Sequence, residues 1–158
     1  MNSSLATTPL PPCTPSNVSA SGMLYNSTST TAFDYKCFAY YFQAILTNHT
    51  LSFSFKNPST TYWLDDVSVY HGSIQTITNG GFELGSSGWT SASCLVIGGT
   101  CYVSSSNPHT GLYSLHASST TLISINQTFN AIIGDLYVIS FWLGNTGGTG
   151  CLVNIRIL

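Results

Sequence analysis

YWLDDVSVYHGSIQTITNGGFELGSSGWT, residues Tyr62–Thr90, is the stretch on which the reading of this chain turns. It opens on a β-branched and aromatic run, turns at His71 and Gly72, passes through SIQTIT, and reaches NGGFE and a GW pair. It reads as the end of one unit followed at once by the beginning of another, in the middle of a chain of 158 residues.

The segments on either side are of the same kind. CFAYYFQAIL, TLSFSFK, LYSLHA, TLISINQTF, LYVISFWLG and CLVNIRIL are short aromatic and β-branched runs. TLSFSFK alternates strictly, with Leu51, Phe53 and Phe55 set against Thr50, Ser52 and Ser54, the period of a strand with one buried face. No segment has a helical period. Eight or nine strands separated by Gly, Pro and Asn signals predict an all-β chain, a β-sandwich of jelly-roll type. Residues 1–32 hold four of the six prolines and no charged residue, which predicts an extended Ser/Thr/Pro-rich arm with little to pack.

NGGFE followed by GW, then GLYSL, INQTF and GDLYVISFWL, resembles the first two-thirds of carbohydrate-binding jelly-roll modules with a galactose-binding-like fold. HTLSFSF followed by YWLDDVSV resembles the last third of the same module. The resemblance covers roughly residues 33–158 and implies that residues 33–78 are a C-terminal-like part placed ahead of an N-terminal-like part, residues 79–158. Two arrangements repair this order. In a circular permutant, VSVYHGSIQTI is a hairpin joining the natural last and first strands. In strand exchange, each half is completed by the opposite half of a neighbouring subunit, a contact that does not close and so builds a filament. The apolar end NIRIL favours exchange, because an uncovered edge strand invites pairing. Either arrangement sets GCLVNIRIL beside YKCFAYYF, making Cys37 and Cys151 partners within a chain or between two.

Charge limits the function classes. Asp, Glu, Lys and Arg make up 5% of the chain, against about 25% in an ordinary soluble protein. With Lys36, Lys56 and Arg156 as the permanent cations, no patch can release many phosphate counterions, which argues against a nucleic-acid partner. The most apolar run, LYVISFWLG, is far shorter than the roughly 20 residues of a membrane helix, so no membrane span is expected. The N-terminus lacks the basic start and apolar core of a signal peptide, as in a mature form or a part of a longer precursor.

Sequons at Asn2, Asn17, Asn26, Asn48 and Asn126 point to a secreted, extracellular glycoprotein. The five cysteines show no zinc spacing, so disulfides are expected instead. Cys94 and Cys101 bracket a turn signal at Gly98 and Gly99 and are expected to pair. Cys13 is left over in the arm, for an intermolecular bond or a free thiol.

Enzymatic work needs a placed acid, base, nucleophile or metal, and the carboxylates are Asp34, Asp65, Asp66, Glu83 and Asp135 alone. The resemblance assigns Glu83 with Asp65 or Asp66 to a structural calcium ion, whose hard character suits oxygen ligands. His49, His71, His109 and His116 read as turn and strand residues, and GNTGGTG as a hairpin loop. Sugar binding needs exposed aromatic platforms. Trp63 and Trp142 lie in motifs that similar modules bury, so Tyr40, Tyr41, Tyr62, Tyr70, Tyr102 and Trp89 are the candidates. The expectation is a non-enzymatic, secreted structural glycoprotein assembling with itself into an extracellular filament or matrix by β-strand complementation. The alternative is an internally permuted carbohydrate-binding or adhesion module with a glycan partner.

Overall fold

The computed structural model describes residues 9–19, 21–29, 31–91, 94–95 and 100–158. Sequon Asn2 and the turn at Gly98 and Gly99 lie outside the described residues. The described chain is all-β: β1 (Ser16–Asn17), β2 (Met23–Ser27), β3 (Phe33–Gln43), β4 (Asn48–Lys56), β5 (Tyr62–His71), β6 (Ile74–Gln75), β7 (Cys101–Ser104), β8 (Ser114–Ala117), β9 (Ile123–Asn130), β10 (Leu136–Asn145) and β11 (Leu152–Ile157).

Two sheets share these strands. One runs β1-β3-β10-β5-β8-β7, with β6 paired to β5, and the other runs β2-β11-β4-β9. Strand period explains how they face each other. On β4, Leu51, Phe53 and Phe55 are buried, while Ser54 turns outward to bond Ser124 Oγ at 2.7 Å. On β10, Tyr137, Ile139, Phe141 and Leu143 take the buried parity. Phe53 meets Phe141 edge to face at 5.3 Å, which joins the two sheets through one core.

The strands interleave. Among the described residues β3, β4 and β5 never pair with one another: β3 lies between β1 and β10, β4 between β11 and β9, and β5 between β10 and β8. Residues 33–71 therefore have no ladder of their own and are completed strand by strand by residues 101–157. The connector packs tightly on the way. The expected hairpin at His71 and Gly72 is present, pairing Tyr70 with Gln75 and His71 with Ile74, and Gly72 takes φ +56° at the turn. Val67 N–H then donates to the Gly80 carbonyl at 3.0 Å.

Three expectations are corrected. The arm is not free of structure: β2 pairs antiparallel with β11, so the NIRIL strand has neighbours on both sides. β11 does not lie beside β3, because the two belong to different sheets, and Cys37 cannot reach Cys151. Cys37 instead bonds Cys13 within the chain, while Cys151 is a buried thiol. The pairing follows from register. β1 runs parallel to β3 with Ser16 opposite Tyr40 and Asn17 opposite Tyr41, an offset of 24 residues (40 − 16), and the same offset separates Cys13 from Cys37. The Cys94–Cys101 bond is formed as expected. Finally, GNTGGTG is not a hairpin loop, since β10 and β11, which it joins, lie in opposite sheets.

Candidate functional site

The outer faces of the two sheets differ in chemistry. The four-stranded sheet shows hydroxyls and amides, aligning Asn26, Asn154, Ser54 and Ser124 across its strands. The seven-stranded sheet shows rings. Its register sets Trp63 opposite His116 and His116 opposite Tyr102, and the rings form a row with centroids 4.6 Å apart at each step. Burial holds His116 below the usual imidazole range, favouring the neutral ring, and its Nε2 meets Thr61 Oγ1 at 3.1 Å.

On the other side of Trp63 the sheet presents Gly144, directly opposite it in the ladder. Both residues line a cleft of about 700 Å³. Tyr35 and His109 line it too, with Asp34, Asn107 and Asn145 among the polar groups. Tyr35 donates its hydroxyl to the Asn107 carbonyl at 2.8 Å, and burial pushes its phenol well above the ordinary range. Trp142 stacks on His109 at 3.9 Å and fixes that ring. Asn145 is nearly fully buried; its Oδ1 accepts from Asn57 Nδ2 and Gly147 N–H, while its Nδ2 has no protein acceptor. The lining thus combines an indole, an exposed carboxylate at Asp34 and the amide of the buried Asn145.

The expected calcium ligands are arranged as a clamp on residues 109–113. Asp65 accepts the N–H groups of Asp66, His109 and Thr110 at 2.7, 2.8 and 3.3 Å. Asp66, at φ +48°, takes His109 Nδ1–H and the Thr110 hydroxyl, each at 2.6 Å. Glu83 accepts Leu112 N–H and Tyr113 N–H at 2.9 and 3.1 Å. Each carboxylate accepts N–H or O–H donors, which would compete with a cation for the same lone pairs. No group of three or more His, Cys, Asp or Glu among the described residues is placed to hold a metal ion. Asp65 is fully buried, and desolvation lifts its carboxyl from 3.8 to about 6 against the pull of its N–H donors.

The expected platform residues divide. Tyr40, Tyr62 and Trp89 are core residues at 8, 1 and 6% exposure. Burial pushes the Tyr40 phenol up to about 12 and raises that of Tyr62 further. Trp89 stacks on Phe82 and donates its indole N–H to the Asn79 carbonyl at 3.0 Å. Tyr41 and Tyr102 are exposed and Tyr70 half-exposed. Trp63 and Trp142, expected in the core, are instead half-exposed on the outer face. Strand parity carried that signal: in YWLDDVSV, burying Tyr62 and Leu64 turns Trp63 out. Among the sequons, Asn17, Asn26 and Asn48 are exposed and Asn126 is half-buried.

No family model, curated protein or solved structure matches this chain. Two disulfides are compatible with an extracellular protein, and no helix among the described residues is long and apolar enough to cross a membrane.

Proposed function

We propose that this protein is a secreted carbohydrate-binding or adhesion module, an internally permuted jelly roll that holds a glycan in the cleft beside Trp63. The observation that carries the reading is the pairing of Trp63 with Gly144. Trp63 and Gly144 line the same cleft as Tyr35, His109 and the exposed carboxylate of Asp34. A pyranose offers an apolar face to a ring and hydroxyls around its rim, which suits that lining. The reading is of binding, with Asp65, Asp66 and Glu83 holding the loop that carries His109. Affinity electrophoresis in gels cast with a panel of soluble polysaccharides tests it. Retardation of the wild type on at least one polysaccharide, weakened about tenfold or more by Trp63→Ala (about 1.4 kcal/mol) and unchanged by Tyr41→Ala, supports the site. Free migration of the wild type on every polysaccharide refutes it.

The interleaving of strands supports a second reading, a structural subunit that assembles into an extracellular filament by β-strand complementation. Since residues 33–71 pair only with strands outside their own segment, a neighbour's residues 101–157 can supply the same ladders. Negative-stain electron microscopy at high concentration tests it: fibres repeating at one sandwich support it, and discrete single-sandwich particles refute it. A calcium ion would compete with the N–H and O–H donors for Glu83, Asp65 and Asp66 and release some of them. A rise in Tm on replacing chelator by calcium would mark that release.

A further inference from the structure

The N-terminal segment pairs with one edge strand of each sheet. β1 covers the outer edge of β3 in the seven-stranded sheet, and β2 covers the outer edge of β11 in the four-stranded sheet. Between them Gly22 is pressed against Ile157: its N–H donates to Ser19, its carbonyl accepts Ile157 N–H at 2.9 Å, and at φ +72° a Cβ would overlap the Ile157 carbonyl. The fit is specific to sequence and register. Beyond this segment, Thr28, Ser29, Thr31 and Ala32 are exposed, and the hydrogen bonds among these described residues are local, Ser29 N–H to Ser27 Oγ and Thr31 N–H to Ser29 Oγ.

A well-fitted strand pair on an exposed connector is an element that one copy can donate to another without loss of any contact except those of the connector. We propose that residues 9–27 are an exchangeable clasp whose partner is a second copy of this chain. When the clasp of one copy covers β3 and β11 of another, the parallel register that sets Cys13 beside Cys37 sets it beside the partner's Cys37. The same bond then links two chains. With glutathione disulfide as oxidant, Cys13 thiolate attacks one glutathione sulfur and displaces a glutathione thiolate. Cys37 thiolate then attacks the Cys13 sulfur and displaces the second. Two protein thiols are oxidised, one glutathione disulfide is reduced, and the two thiol protons go to the leaving thiolates. Whether the bond is internal or between chains depends on which clasp is docked at that moment.

This does not rest on the exchange of halves, which would leave Cys13 and Cys37 in one chain. The test mixes unglycosylated light and ¹⁵N-labelled full-length protein, reduces both, and reoxidises them with glutathione disulfide over a range of concentrations. Trypsin cuts after Lys36, so mass spectrometry of the denatured, alkylated digest reads whether the peptides carrying Cys13 and Cys37 are of one isotope or of two. The expected result is a mixed-isotope pair that is nearly absent in dilute solution, grows with concentration, and vanishes in Cys13→Ser. Its absence at every concentration overturns the proposal. So does an equal yield in urea, which would mean random pairing of unfolded chains.

Discussion

Asp65 sets two forces against each other, and pH separates them. Complete burial disfavours the charged carboxylate, whereas three backbone N–H groups favour it. The net result is a carboxyl lifted from 3.8 to about 6. A shift of about 2 units at about 1.36 kcal/mol each corresponds to about 3 kcal/mol. The sign follows from the direction. The folded state holds the proton more tightly than the unfolded chain does, so this contribution is fully present below the unfolded value and is lost as pH rises through the folded one. Stability due to Asp65 should therefore fall between about pH 4 and pH 6, which for a chain of this size corresponds to roughly 6–12 °C in Tm. Urea unfolding of wild type and Asp65→Asn, in chelator at steps from about pH 3.5 to 7.5, isolates it, because the difference between the two curves contains this titration and cancels the rest. The reasoning is refuted if the wild type gains stability over the variant as pH rises through that window, since the N–H groups would then outweigh desolvation.

Gly80→Ala should cost about 3 kcal/mol in urea unfolding, because its Cβ would overlap the Val67 carbonyl oxygen, which is backbone and cannot turn away; a loss near zero would mean that the connector is not packed on β5. Phe53→Ala removes a fully buried ring lying 5.9 Å from Trp89 and 5.3 Å from Phe141 and should cost about 3–5 kcal/mol by the same assay, with Phe53→Leu in between. Cys151, buried against Asn57 and the carbonyls of Gly147 and Gly148, should react with Ellman's reagent only after denaturant is added, and prompt reaction of the native protein would contradict its burial.

Elements with a strong local signal were legible in the sequence. The alternation of TLSFSFK marks β4 with its buried face, and the Gly72 turn marks the β5–β6 hairpin, because period and turn chemistry are properties of a few consecutive residues. The arm was not legible. MLYNS has an ordinary strand composition in a proline-rich context, and its pairing with β11 depends on a partner about 130 residues away. The Cys13–Cys37 bond was hidden for the same reason, since it follows from a parallel register between two segments that no local pattern connects. The cleft was half legible: Trp63 was singled out but assigned to the core by resemblance, whereas the alternation of its own strand, with Tyr62 and Leu64 inward, turned it to the surface. Gly144 drew no notice because its role is a missing side chain opposite Trp63, which only the ladder reveals.

The geometry also ranks the two exchanges available to this fold. Both conserve their ladders, so each is governed by what its hinge must give up and how far the hinge reaches. The exchange of halves must open at Gly72 and Ser73, which sit between the paired residues His71 and Ile74. Two extended residues span roughly 7 Å. A longer reach requires breaking the β6 pairs, then the Thr76 N–H to Val69 bond at 2.8 Å, and then the Val67–Gly80 contact. Exchange of the clasp opens residues 28–32, five residues that reach roughly 17 Å and hold only local side-chain bonds among those described. The clasp thus gives up less and reaches further, but a closed Cys13–Cys37 bond holds it in place. Reduction should therefore release clasp exchange while leaving the barrier to exchange of halves nearly unchanged, because that barrier lies in the hairpin and the connector behind it. Assemblies that dissolve when reduced and diluted point to the clasp, and assemblies that survive this point to the halves.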